Sequence, residues 1–316
     1  MKVYQTFFII LMIVLYFTGC TRNSSMSQIY VSDSLAWGDN PHGNITMPLA
    51  TAVSDEFLYV LDNTDSVFVY STQTGCWINS FGGTGEGPGK FSVPQGIAIL
   101  PDSNIIVADT FNRRLQVLSA EGLFIESISA TFPNQLLIRG DEVFYKTYIS
   151  ADDHSGIYHF APNGSHRLLF DMHQWMDEND CHCCWILGAT DSSFIVSIPD
   201  ASKMLRVTRD GQATELTLET PFTSPFRHYW GQALPFHEGF IAPYTLFERD
   251  LDETDTPITG DIRSALVHYT IDGSILHTYE LPPERFSISS FSWTLDGDRA
   301  ILADYLNGVV YCYDLD

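Results

Sequence analysis

A turn of one residue plus glycine, joining two apolar runs, recurs along this chain at Thr74-Gly75, Glu121-Gly122, Asn163-Gly164, Asp210-Gly211 and Asp272-Gly273. Successive glycines lie 47, 42, 47 and 62 residues apart. A period of this length, built from β-type runs, leaves two architectures, a propeller or a solenoid. With 45% hydrophobic and 13% aromatic residues, the 316-residue chain can bury a large core, and all-β rings of this size form one domain.

Each unit reads as four strands, a to d. In the second unit Gly96 to Leu100 is strand a, Ile105 to Ala108 strand b, Leu115 to Leu118 strand c and Leu123 to Ile128 strand d. Strands b and c are near-continuous apolar runs, as expected of strands buried on both faces. The b and c pair recurs at 57–61 and 67–70, 143–145 and 157–160, 194–198 and 204–207, 240–244 and 265–271, and 300–303 and 309–313. The sixth unit ends at Asp316 without a strand d, and 29–37 offers one at the other end. A propeller removes its open edges by closing on itself. The reading is therefore all-β: a six-bladed β-propeller whose last blade is closed by the N-terminal strand.

The second unit also carries Gly82-Gly83-Thr84-Gly85-Glu86-Gly87-Pro88-Gly89, Pro94-Gln95-Gly96, Val107-Ala108-Asp109 and Asn112-Arg113. Residues 82–128 resemble an NHL repeat, and the whole is similar to six-bladed propeller lipoproteins of Bacteroidetes. The resemblance implies the same ring; most of those proteins have no assigned activity. Asp109, ending strand b, is expected to bond turn amides, with Arg113 pairing to it across the loop. The glycine-rich run has no following Lys-Ser or Lys-Thr and no helix after it, so it is not read as a phosphate loop.

The first residues carry an address. Lys2 is followed by an unbroken apolar run from Phe7 to Phe17, too short to span a bilayer, and then by Thr18-Gly19-Cys20. This resembles the lipobox of bacterial lipoproteins, with Phe17 departing from the usual aliphatic. It implies a signal peptide over 1–20, lipidation of Cys20, a linker over 21–28 and a propeller over 29–316. The expected location is exported and membrane-anchored, on the periplasmic or cell-surface side. A net charge of −23 argues against nucleic acid as a partner, and a monomer is expected.

In a four-strand meander the a–b and c–d turns share one face of the disc, and the b–c loops and d–a crossovers share the other. The glycine turns all belong to the first, plain face. The long segments all belong to the second: Gly82 to Lys90, Tyr148 to Gly156, Met172 to Cys183, Thr220 to Tyr229 and Glu248 to Ser264. Long loops on a rigid scaffold carry binding. About eight residues, reaching roughly 28 Å at most, separate Cys20 from the first strand, which starts at the plain face. The plain face is thus expected toward the membrane.

Candidate chemistry sits on the loop-rich face. Trp175, Phe222, Phe226, Arg227, Tyr229 and Trp230 make an aromatic and arginine set suited to protein or glycan recognition, with channel plugging as the structural alternative. Cys181, His182, Cys183 and Cys184, with His228, are candidates for a disulfide, for buried thiols or for a zinc or copper(I) site. Cys20 apart, the cysteines number five with Cys76 and Cys312, and an odd count cannot fully pair within one chain. The strand a starts show no acidic ring such as gluconolactonase-like propellers use for calcium. The leading function is a binding module for an envelope protein or glycan, without a cofactor. The alternative is a metal-dependent propeller lyase or hydrolase with its site near Cys181 to Cys184.

Overall fold

The apolar runs of strands b and c become the buried middle strands of six antiparallel sheets. The structure, a computed structural model, describes residues 45–147, 155–161, 164–178, 186–190, 192–198, 203–222, 228–247, 262–281, 291–304 and 309–315. Blade 1 is β1 (Pro48–Val53), β2 (Phe57–Asp62), β3 (Ser66–Ser71) and β4 (Trp77–Gly82). Blade 2 is β5 (Gly96–Ile99), β6 (Ile105–Asp109), β7 (Arg114–Leu118) and β8 (Phe124–Ser129). Blade 3 is β9 (Pro133–Arg139), β10 (Glu142–Thr147), β11 (Gly156–Phe160) and β12 (His166–Asp171). Blade 4 is β13 (Ile186–Ala189), β14 (Phe194–Ile198), β15 (Lys203–Val207) and β16 (Ala213–Leu216). Blade 5 is β17 (His228–Trp230), β18 (Leu234–Phe236), β19 (Gly239–Phe247), β20 (Ile262–Thr270) and β21 (Ile275–Leu281). Blade 6 contributes β22 (Phe291–Asp296), β23 (Arg299–Asp304) and β24 (Val309–Asp314). The expected closing strand at 29–37, like Cys20, lies outside the described residues.

Six apolar wedges hold the blades side by side, one between each consecutive pair. Leu61 and Val69 meet Ile97 and Val107 between blades 1 and 2. Ala108 and Leu115 meet Leu136 and Tyr145 between blades 2 and 3. Phe144 and Ile157 meet Leu187 and Phe194, and Ile195 and Met204 meet Phe240 and Tyr269. Ile241 and Leu266 meet Trp293 and Leu302. The ring returns on itself where Ile301 and Ala303 of blade 6 meet Leu58 and Phe68 of blade 1. The middle strands of blades 1 to 5 are thus covered on both faces, while an outer strand such as β8 is almost wholly exposed. Six wedges closing a circle make the chain an all-β, six-bladed propeller.

The glycine turns do more than reverse the chain. Gly75, Gly122, Gly164, Gly211 and Gly273 all have positive φ, between 69° and 94°, at the c–d turn of blades 1 to 5. Three of them also press on the outer strand of the preceding blade. A Cβ on Gly122 would overlap the Phe81 ring, one on Gly211 the Leu169 carbonyl and one on Gly273 the Thr217 carbonyl. The last contact is reinforced by Glu219 N–H, which donates to the Gly273 carbonyl at 3.0 Å. Gly164 differs: among the described residues no atom lies within 4 Å of where its Cβ would sit.

Two features depart from the meander read in the sequence. Strand a of blade 5 is split, because Gly231, Gln232 and Ala233 lie opposite only Ala242 and Pro243, a bulge of one residue. The segment after β12, read as loop, begins with a short helix α1 (Met172–Glu178), whose Met172 and Met176 are buried against the wedge between blades 3 and 4. Seven residues give too little periodicity for sequence reasoning to register.

Gly211→Ala combines a left-handed backbone with a carbonyl overlap, so it should cost about 2 kcal/mol or more of unfolding free energy. Gly164→Ala carries the backbone part alone, about 1 kcal/mol. Urea unfolding of the two variants checks this; equal losses would contradict the close approach of blades 3 and 4.

Candidate functional site

Strand b of the first two blades ends in a fully buried aspartate, and each one organises the chain that enters strand a of its own blade. Asp62 Oδ2 accepts from the Thr46 and Met47 amides at 2.8 and 2.7 Å, and Oδ1 from Thr64 N–H at 3.0 Å. Asp109 Oδ1 accepts from Ser92 N–H at 2.7 Å. Its Oδ2 takes Arg114 Nε at 2.7 Å, Asn112 Nδ2 at 2.9 Å and Gln116 Nε2 at 2.9 Å. A carboxylate with no exposure needs its lone pairs filled: Asp109 has this and the matching charge of Arg114, while Asp62 is held by backbone amides and the Thr46 hydroxyl.

The partner of Asp109 is Arg114, not Arg113 as the sequence reading had it. Arg113 sits in a left-handed conformation (φ 52°), which turns its side chain away; its guanidinium lies over the Phe132 ring, 4.1 Å from the centroid. Arg114, the next residue, begins β7 and points back at the carboxylate.

The same cluster fixes the glycine-rich loop on the loop-rich face. Arg114 donates to the carbonyls of Gly87 and Lys90 at 3.1 and 3.0 Å, and Asn112 to that of Gly85 at 2.9 Å. Gln116 Nε2 donates to the Lys90 carbonyl at 2.6 Å, while its Oε1 accepts from Gly89 N–H at 3.0 Å. Within the loop Gly85 N–H donates to Phe91 O and Phe91 N–H to Gly83 O, and Phe91 itself is fully buried. The loop is a rigid projection whose Glu86, Pro88 and Lys90 remain exposed.

Behind this face runs the central channel, a cavity of about 350 Å³ bounded by the inner strands of all six blades. Its polar lining is neutral: Thr51, Gln95, Gln135, Gln232 and Thr294, with Leu, Ile and Ala between them. No carboxylate or imidazole lines it among the described residues. Part of the polar lining braces the ring, since Gln135 Oε1 accepts from Leu187 N–H at 2.8 Å and Trp293 Nε1 donates to the Gln232 carbonyl at 3.0 Å.

The aromatic candidates separate. Phe222 and Trp230 are buried in the wedge between blades 4 and 5, where Trp230 Nε1 donates to the Tyr269 hydroxyl at 3.1 Å. The structure thus corrects the reading of these two as surface for a partner: Phe222 and Trp230 fold inward where the wedge needs filling. Trp175 is half-buried against the neighbouring wedge. Tyr229 and His228 belong to β17, and their side chains are not described. Phe226 and Arg227 lie outside the described residues, as do Cys181, His182, Cys183 and Cys184. Of the other cysteines, Cys76 is exposed with a free thiol. No group of three or more His, Cys, Asp or Glu residues placed to hold a metal occurs among the described residues.

Comparison with known proteins agrees with the architecture. A family model described as a 6-bladed beta-propeller matches residues 45–166. A search of curated proteins finds no match. Among solved structures the chain is similar to a member of the DUF4221 family from Bacteroides vulgatus, with a TM-score of 0.60 and 7% identity over 87% of this chain and 94% of that one. It is also similar to a gluconolactonase from Xanthomonas campestris, with a TM-score of 0.56 and 11% identity over 91% and 88% of the two chains. Virginiamycin B lyase from Staphylococcus aureus gives 0.52 and 12% over 85% and 95%. At such identities the likeness is one of fold.

Asp109→Ala leaves Arg114 and three other donors facing an empty buried position. We expect a loss of about 3 kcal/mol in unfolding free energy, together with faster proteolytic nicking between Gly83 and Lys90. Limited proteolysis at matched folded fraction reads the second effect; an uncut loop in a destabilised variant would show that the aspartate does not hold it.

Proposed function

We propose that this chain is an exported, lipid-anchored propeller of the bacterial cell envelope that acts as a binding module. Its partner, an envelope protein or glycan, docks on the face bearing the Gly82–Lys90 loop and the channel mouth. The observation that carries this reading is the order built into that loop. Asn112, Arg114 and Gln116, themselves fixed by the buried Asp109 carboxylate, hold its backbone and leave Glu86 and Pro88 outward, while Lys90 Nζ donates back to the Gly82 carbonyl at 2.6 Å. A loop fixed before its partner arrives loses little conformational freedom on docking, which raises affinity without added area. Nothing in the hydrogen bonds of blade 2 alone requires so long a segment. The lipid at Cys20 and a plain face turned toward the membrane complete the proposal.

A second reading draws on the fold likeness to a gluconolactonase and a lyase. In it Cys181 to Cys184, with His228, hold zinc or copper for a lyase or hydrolase reaction. Elemental analysis of protein purified without added metal separates the two, since one equivalent of bound zinc or copper would favour the enzyme.

The binding reading is tested in the native envelope. Tagged wild-type chain and a Glu86→Lys variant are compared by pull-down from the membrane fraction. We expect the variant to fold normally and to lose at least tenfold of its co-purifying partner. Identical recovery from the two would overturn the assignment of this face.

A further inference from the structure

The seam between blades 2 and 3 is built differently from its neighbours. At the c–d turns of blades 2, 4 and 5 the glycine lies against the preceding outer strand, and at Gly164 of blade 3 it stands clear of the described residues. The space left is a groove of about 500 Å³ on the side wall of the ring, a size typical of small-molecule sites. A strut keeps it open. His166 of blade 3 meets the Tyr145 hydroxyl through Nδ1 at 2.8 Å and reaches the Ser129 backbone of blade 2. Burial holds this imidazole below its usual range, so it stays neutral at neutral pH and serves as a wall. Tyr145 and Tyr158 stack beside it with ring centroids 5.4 Å apart.

One cation enters this groove. Arg113 is held left-handed, its N–H donating to the Thr110 carbonyl at 3.1 Å and its own carbonyl accepting from Ala130 N–H at 2.9 Å. An arginine in this conformation is uncommon and is a reason to look for function. Its guanidinium lies over Phe132, the side chain is exposed, and no carboxylate pairs with it among the described residues. The chain has 39 acidic against 16 basic residues, yet the groove lining has no acid among the described residues. The exposed hydroxyl-bearing Ser129 and Thr131 complete the rim.

We propose that this seam binds an acidic sugar. The Arg113 fork takes the carboxylate, the Tyr158 ring faces the apolar side of the pyranose, and Ser129 and Thr131 meet its hydroxyls. The site lies at the seam of blades 2 and 3, where Arg113 comes from the b–c loop and Thr131 from the d–a crossover of blade 2; it does not use the Gly82–Lys90 loop and stands or falls independently of the binding-module reading.

Isothermal titration with sodium glucuronate, glucose and acetate tests it on the full chain. Glucuronate should bind saturably, and glucose and acetate at least tenfold more weakly, because each lacks one half of the recognised chemistry. Arg113→Ala should weaken glucuronate at least tenfold. Thr131→Trp changes an exposed rim residue; it should fill the groove and abolish binding with the thermal midpoint unchanged. Absence of glucuronate binding, equal affinity for glucose or acetate, or undiminished affinity in a folded Thr131→Trp variant would each overturn the proposal.

Discussion

The close approach of one blade's c–d turn to the outer strand of the blade before it is the contact on which the ring's regularity depends. Side chains in the wedges supply most of the buried apolar area, but they do not set how far the outer strands stand apart. At Gly122, Gly211 and Gly273 the absence of a Cβ lets a turn rest directly on the preceding strand. The left-handed backbone at the same residue makes the turn tight enough to fit there. One residue type thus satisfies a local and a long-range demand together, which is why the repeat is so visible. Where the contact is missing among the described residues, at Gly164, the wall opens into a groove.

Buried charge does the corresponding work on the other face. Asp62 and Asp109 occupy the same place in successive blades and clamp the chain entering strand a, but only Asp109 also governs a long loop. The difference comes from β7, where Arg114 and Gln116 point from one strand face toward the Gly82–Lys90 backbone. An alternation of period two places those side chains together without further design.

The blade count, the b and c strands and the division into two faces were legible because each depends on a local pattern: an apolar run, a glycine turn, a loop length. What was not legible depends on backbone conformation or on neighbours distant in sequence. The swap of Arg113 for Arg114 at Asp109 follows from one left-handed residue that composition does not reveal. Phe222 and Trp230 look like surface aromatics in an irregular segment, yet a wedge drawn from Ile195 through Tyr269 takes them in beside Tyr244 and Tyr269. The bulge at Gly231–Ala233 brings Ala233 O to Ala189 N–H at 3.0 Å, a contact between blades that no single-strand pattern encodes. The open seam is of the same kind, since it reflects a distance between two turns rather than any motif.

The central claim is that the glycine-rich loop is ordered before any partner arrives. Hydrogen exchange of the free protein measures this at the amides of Gly85, Gly89 and Phe91, which donate to Phe91 O, Gln116 Oε1 and Gly83 O. The account predicts protection approaching that of the β6 amides. Exchange at the rate of an unstructured peptide, with β6 still protected, would contradict it.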